Sequence, residues 1–143
     1  MKVKQISIFM ENRAGRLNDI TGVLARAGIN IRALSLADTS DFGILRLIVD
    51  NPSHAVDILH HNQFTIRENE VIACVIEDKP GGLHRIINIL ADAGISIEYM
   101  YSFFTKHSDQ AIVVMRVEDL AKTIAVLTAK GIVLLSGEQL YSI

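Results

Sequence analysis

Two turns of this chain carry residue types that can hold a small charged molecule. Residues 11–17 read Glu11-Asn12-Arg13-Ala14-Gly15-Arg16-Leu17, and residues 77–83 read Glu77-Asp78-Lys79-Pro80-Gly81-Gly82-Leu83. In each, a glycine stands just ahead of apolar residues three and four apart, the period of a helix. Glycine lets the backbone approach a ligand closely and take positive φ, and the first turn of a helix leaves N–H groups unpaired beside a partial positive charge. A carboxylate fits such a place. Glycine and Pro-Gly are equally the ordinary chemistry of a strand-to-helix turn, and a repeated turn would repeat that geometry too.

Both turns sit inside a longer repeat. Residues 11–31 and 77–97 match at one offset of 66 without a gap, with ten of the twenty-one positions identical, among them Gly15/Gly81, Leu17/Leu83, Ile20/Ile86, Leu24/Leu90 and Gly28/Gly94. Self-similarity of this kind makes the chain two copies of one unit, expected over 1–68 and 69–143.

The first copy opens with a strand-like run over 3–10. Leu17, Ile20, Leu24 and Ala27 then line one face of a helix over 16–27, which Gly28 closes. Residues 30–39 return to extended pattern, Ser40-Asp41 is turn chemistry, and residues 43–50 are a strand rich in Ile, Leu and Val. Asn51-Pro52-Ser53 starts a second helix ending near His61-Asn62, and residues 64–67 make a short fourth strand. Polar Glu68-Asn69-Glu70 marks the seam. The second copy repeats this order: a strand over 71–76, a helix carrying Leu83, Ile86, Leu90 and Ala93, and a strand over 96–104. Its hairpin is two residues longer, so the offset becomes 68 and Leu59 aligns with Leu127. Gly131 closes the last helix, residues 132–135 are the fourth strand, and residues 139–143 are a tail expected to pair as one more.

A βαββαβ unit with right-handed crossovers puts both helices on one face of a four-stranded antiparallel sheet. The fold class is therefore α+β, two ferredoxin-like sandwiches in tandem. Residues 44–49 and 112–115 are apolar on both faces, whereas a half-solvated sheet alternates, so cover over the second face is expected. A unit of ~70 residues buries only about 60% of its extended surface alone, which favours association between copies and between chains.

Charge and composition exclude several classes. Net charge is −2, from 14 basic and 16 acidic residues, so nothing attracts a phosphate backbone or an anionic membrane. RNA-binding domains of the same layout place aromatics on the central strands, and residues 43–49 have none. The single Cys74, between Ala73 and Val75, makes no internal disulfide and reads as a small buried hydrophobe. No leader pattern and no apolar run of roughly 20 residues is present, so the expectation is a cytoplasmic protein. His54 and His61, seven apart on a helix face without a third ligand, read as solvated surface, and no metal is expected. Asp41-Phe42-Gly43 matches a kinase signature by letters alone and reads as a hairpin turn. No nucleophile with a base, no paired carboxylates on a recognisable scaffold and no phosphate loop can be assembled, so neither a catalytic residue nor a cofactor is expected.

The order strand, Glu-Asn-Arg-x-Gly-x-Leu, helix, Ala-Gly-Ile-Asn-Ile, strand resembles the ACT domain, a small regulatory module that binds amino acids in enzymes of amino-acid metabolism. The resemblance covers essentially the whole chain as two tandem copies, similar to free-standing pairs without a catalytic domain. In that family the amino acid lies between modules, held by the loop after strand one and the start of strand two of a neighbour. The resemblance thus implies ligand contacts from Glu11, Asn12, Arg13, Ala14, Gly15, Arg16, Leu17, Asn30 and Ile31 in the first copy. In the second it implies Asp78, Pro80, Gly81, Gly82, Leu83, Ser96 and Tyr99. An amide such as Asn12 or Asn30 accepts from an ammonium and donates to a carboxylate, as an α-amino acid requires. Asp78 and Ser96 replace them in the second copy, and a carboxylate at 78 repels a carboxylate ligand, so the two sites are expected to differ in affinity or in ligand, with the first copy favoured for a serine-like arrangement. Tyr99, Tyr101, Phe103 and Phe104 hold four of the eight aromatics, marking that strand as core, interface or pocket wall.

The expectation is a non-enzymatic, amino-acid-responsive regulatory protein. Its partners are a free amino acid, a second copy of itself in a homodimer, and an enzyme of amino-acid metabolism. The alternative is a constitutive small assembly subunit of a biosynthetic enzyme such as acetolactate synthase.

Overall fold

The computed structural model describes residues 1–38, 41–103 and 109–143. Ser40, Phe104, His107 and Ser108 lie outside the described residues. The elements in chain order are β1 (Val3–Glu11), α1 (Arg16–Arg26), β2 (Ile31–Asp38), β3 (Phe42–Val49), α2 (Pro52–His61) and β4 (Thr65–Glu77), followed by α3 (Gly82–Asp92), β5 (Ile97–Ser102), β6 (Gln110–Val117), α4 (Leu120–Ala129), β7 (Leu134–Leu135) and α5 (Gly137–Tyr141). They fall into two units, Lys4–Asn69 with Tyr141–Ile143, and Met1–Val3 with Glu70–Leu140.

In the unit of the first copy the strand order is β2-β3-β1-β4, antiparallel across β2/β3 and β1/β3. Ile6, Ile8 and Met10 face Leu47, Leu45 and Gly43 across β1 and β3, so the alternate residues of both strands share one face. That face packs against Ile20, Val23 and Leu24 of α1 and Ala55 and Leu59 of α2, whose 3–4 spacing puts them on the inner sides of their helices. The unit of the second copy repeats the plan as β5-β6-β4-β7, with Ile72, Cys74, Val113 and Met115 packed on Ile86, Leu90 and Leu127. Both are ferredoxin-like βαββαβ sandwiches. On the faces turned away from the helices, Ile48, Val71, Ala73 and Val114 are also fully buried.

Three local expectations change. The polar seam Glu68-Asn69-Glu70 is not a break: β4 runs through it for 13 residues, closing the first unit and opening the second with one extended segment. A strand asks for paired backbone groups rather than apolar side chains, and Asn69 helps hold the segment by accepting from the hydroxyl of buried Ser7 at 2.7 Å. The tail beyond residue 136 is the helix α5, not a further strand. Ser136 Oγ accepts from the Gln139 N–H at 3.2 Å while Gln139 Oε1 accepts from the Ser136 N–H at 2.8 Å, a reciprocal capping box whose Ser-x-x-Gln signature is legible in sequence. Phe42 and Gly43 belong to β3, which leaves only Asp41 of that triplet in the turn.

Helices α2 and α4 start on side-chain caps: Asn51 Oδ1 accepts from the His54 N–H at 3.2 Å, and Asp119 Oδ1 from the Lys122 N–H at 3.0 Å. Removing a cap of this kind costs about 1 kcal/mol, so Asp119→Ala is expected to lower the urea midpoint by that equivalent with an unchanged slope.

Candidate functional site

The two strand-to-helix loops are built alike. Gly15 has φ 86° and ψ −13°, Gly81 has φ 86° and ψ −8°, and each stands at the N-cap of its helix in the left-handed region that glycine reaches freely. Neither α1 nor α3 has a side-chain cap, in contrast to α2 and α4. The Asn12 N–H donates to Asp41 O at 3.0 Å and the Asp78 N–H to Asp109 O at 2.9 Å, which ties each loop to its hairpin. Each loop also closes on an ion pair, Arg13 Nε with Glu11 Oε2 at 3.2 Å and Lys79 Nζ with Glu77 Oε2. The hydrogen bond from Lys79, then the charges of Lys79 and Arg85, hold the exposed Glu77 carboxyl below the usual carboxylate range.

The first leucine of each helix points out of the core. Leu17 is 39% and Leu83 41% exposed, whereas Ile20, Leu24, Ile86 and Leu90 are buried. The apolar period alone assigns Leu17 to the core face; the structure shows that face begins one turn later. Each loop therefore offers a left-handed glycine, an uncapped helix start and an exposed apolar side chain within three residues, the elements of a receptor for a small carboxylate with an apolar part.

Other sequence-marked residues lie elsewhere. The Asn30 N–H donates to Asp50 Oδ1 at 3.0 Å, at the far end of β3 from the Asn12–Asp41 contact. The eight residues of β3 span roughly 25 Å, so one unit does not bring its own Asn12 and Asn30 together. Half-buried Ile31 starts β2 at the Asn30 end. In the second unit Ser96 lines an open groove with Gly94, Glu118 and Asp119, remote from the Gly81 loop. Half-buried Tyr99 lies opposite Arg116 on the sheet face away from the helices, since the core-facing partners on β6 are Val113 and Met115. The structure thus groups residues 11–17 and 78–83 as two loops, and separates Asn30, Ile31, Ser96 and Tyr99 from the loop of their own unit.

A cavity that the motif reading did not mark lies beside the second loop. It has a volume of about 420 Å³ and is walled by Gly81 and Gly82, Lys79, Arg85, Ile86, Ile132 and Val133, among others. Its sequence signal is the departure between copies, Arg16 against Gly82 and Phe64 against Ile132. Among the described residues no group of three or more His, Cys, Asp or Glu side chains forms a metal site, and no helix is long and apolar enough to cross a membrane.

Two ferredoxin-like sandwiches with glycine-turned first helices fit a tandem pair, and residues 1–143 match the family model for an ACT domain pair: the chain belongs to that family. Among solved structures it is similar to protein BT0572 from Bacteroides thetaiotaomicron, with 41% identity and a TM-score of 0.94 over 100% of this chain and 98% of that one. The regulatory subunit of aspartate kinase from Thermus thermophilus, in ligand-free form, aligns with a TM-score of 0.62 and 14% identity over 88% of this chain and 91% of that one. Its counterpart from Thermus flavus gives a TM-score of 0.61 and 16% identity over 89% and 92%. At that identity the two Thermus likenesses concern the fold. No curated protein matches the chain.

Proposed function

We propose that this chain is a non-catalytic regulatory protein that binds a free amino acid and passes the binding energy to a partner in amino-acid metabolism. The observation that carries the reading is the loop present in both copies: a left-handed glycine, a helix start with no side-chain cap and an exposed leucine, in a chain of the ACT domain pair family. The candidate ligand-binding residues are Glu11, Asn12, Arg13, Ala14, Gly15, Arg16 and Leu17 in one loop, and Asp78, Pro80, Gly81, Gly82 and Leu83 in the other; the reading requires a bound amino acid at one of the two loops and not at both. Asn30, Ile31, Ser96 and Tyr99 join a site when a neighbouring module supplies them. The regulatory subunits of aspartate kinase, similar in fold, support a role exerted on an enzyme. A ligand that favours one packing of modules biases whatever partner reads that packing.

A thermal-shift panel with each of the twenty amino acids at millimolar concentration tests this. A ligand at 100 times its Kd adds about 2.7 kcal/mol to the native state, a rise of several degrees in Tm. One or a few related amino acids are expected to raise Tm, and a panel without a shift counts against sensing. Leu34 and Leu36, 47% and 48% exposed on the outermost strand of the first unit, support a homodimer and also a second reading, a constitutive assembly subunit whose sheet edge is an interface. That reading expects co-purification with a large catalytic subunit and indifference to amino acids.

A further inference from the structure

We infer that the second unit holds its own ligand pocket, that the first unit has the same pocket plugged by its own side chain, and that the ligand is an aliphatic α-amino acid bound once per chain. The inference rests on the amino-acid reading above and adds to it a place, a stoichiometry and a side-chain class.

The repeat makes the comparison internal. Position 16 aligns with 82 and position 19 with 85 at the offset of 66, and position 64 with 132 at the offset of 68. In the first unit the Arg16 guanidinium lies 4.6 Å from the centre of the Phe64 ring, and its Nη1 is 3.8 Å from Asp19 Oδ2. Its Nε is closed off from solvent without a hydrogen-bond partner among the described residues. An aromatic ring, a cation over it and an acid beside it thus fill the space between the first helix and the turn that follows the second. In the second unit each of the three is exchanged: Gly82 has no side chain, Ile132 is smaller than phenylalanine, and Arg85 stands where Asp19 stood. The space becomes the cavity of about 420 Å³, within the range of small-molecule sites.

Its wall states what it takes. Where the first unit pairs a built-in cation with Asp19, the second presents the exposed cation Arg85, which donates from Nη2 to Lys130 O at 3.5 Å, acts by its charge on Glu77 and has further N–H groups to offer an external anion. Glu77, kept ionised by its ion pair with Lys79, lies in the same wall, where a ligand ammonium would share or replace the Lys79 contact. Ile86, Ile132 and Val133 form the apolar side, and Val133 is 59% exposed, an apolar surface that a bound side chain would cover. Carboxylate, ammonium and aliphatic groups in one cavity describe a zwitterion with a hydrocarbon side chain.

The test is calorimetric titration of the full chain with L-leucine, L-isoleucine and L-valine, with amide NMR shifts followed in parallel. At least one is expected to bind with one molecule per chain and to move the amides of Gly81, Gly82, Ile132 and Val133. Ile132→Phe, which copies the residue of the first unit, and Arg85→Gln, at an exposed position, are each expected to weaken binding at least tenfold, with the fold of each variant confirmed by its amide spectrum and the Tm of the free Arg85→Gln protein unchanged. Undiminished binding in both variants, two molecules per chain, or shifts confined to the Gly15 loop overturns the inference and leaves amino-acid sensing standing. Binding of only a charged or aromatic amino acid overturns the side-chain class in the same way. If none of the twenty amino acids binds, both fall.

Discussion

Gly82→Ala is expected to destabilise the second unit by about 1–3 kcal/mol, although alanine is the better helix former. Gly82 is buried at the first position of α3, and a Cβ built on it would fall on the backbone carbonyl oxygen of Glu77, a neighbour that cannot rotate away. The loop must open to admit one methyl group, and its opening disturbs the Gly82 N–H to Lys79 O bond of 3.0 Å that closes it. Gly22→Ala in α1 is the contrast. There the added Cβ would meet Arg26 Nη1 at 3.1 Å, the far end of a flexible side chain, so the helix is expected to gain about 0.5–1 kcal/mol as propensity dictates. Urea unfolding of the two variants reads the difference directly as opposite shifts of midpoint with a common slope. A gain at both positions would show that the 77–82 loop yields freely, and with it the shape of the cavity.

That contrast also marks how far sequence carries. The repeat, the helix periods and the closing glycines place every helix from α1 to α4 and the order of elements along each copy, because burial of Ile20, Leu24, Ile86 and Leu90 follows from spacing alone. The polar seam misleads because composition reports solvation while strand continuity depends on backbone pairing, which Glu68-Asn69-Glu70 permits. The α5 helix is missed because its period is only five residues long, and only the Ser136/Gln139 box announces it. At the candidate site the glycines are legible, since a turn before a helix demands them. The exposure of Leu17 and Leu83 is not, because period cannot tell the first turn of a buried face from one that overhangs it. The cavity is legible only as a difference between copies, and its meaning depends on knowing that Arg16 lies over Phe64.

Alkaline titration is expected to remove stability through Cys74. The thiol sits fully buried on β4, across from Val113 in the core of the second unit, and burial pushes its pKa from 9.0 up to about 12. In the unfolded chain the thiol ionises from pH 9, whereas the folded chain keeps the proton. The unfolded state therefore binds fewer protons between pH 9 and 12, and stability is full below pH 9 and falls as pH rises through 12. The limiting slope is about 1.4 kcal/mol per pH unit and is reached only above the unfolded pKa, so unfolding measured at pH 11 rather than 9 should show a loss of roughly 2 kcal/mol, a sizeable part of a typical domain's stability. Tyr141, raised by burial against the opposing effect of the Lys4 N–H it accepts from at 2.8 Å, adds in the same direction at higher pH, discounted for its partial exposure. Cys74→Ala separates the two. It is expected to be less stable than the parent at pH 7, where the missing sulfur leaves a small void, and to lose most of the slope between pH 9 and 11. A parent and variant with equal slopes would mean that the thiol ionises in place, and that the core around β4 admits water.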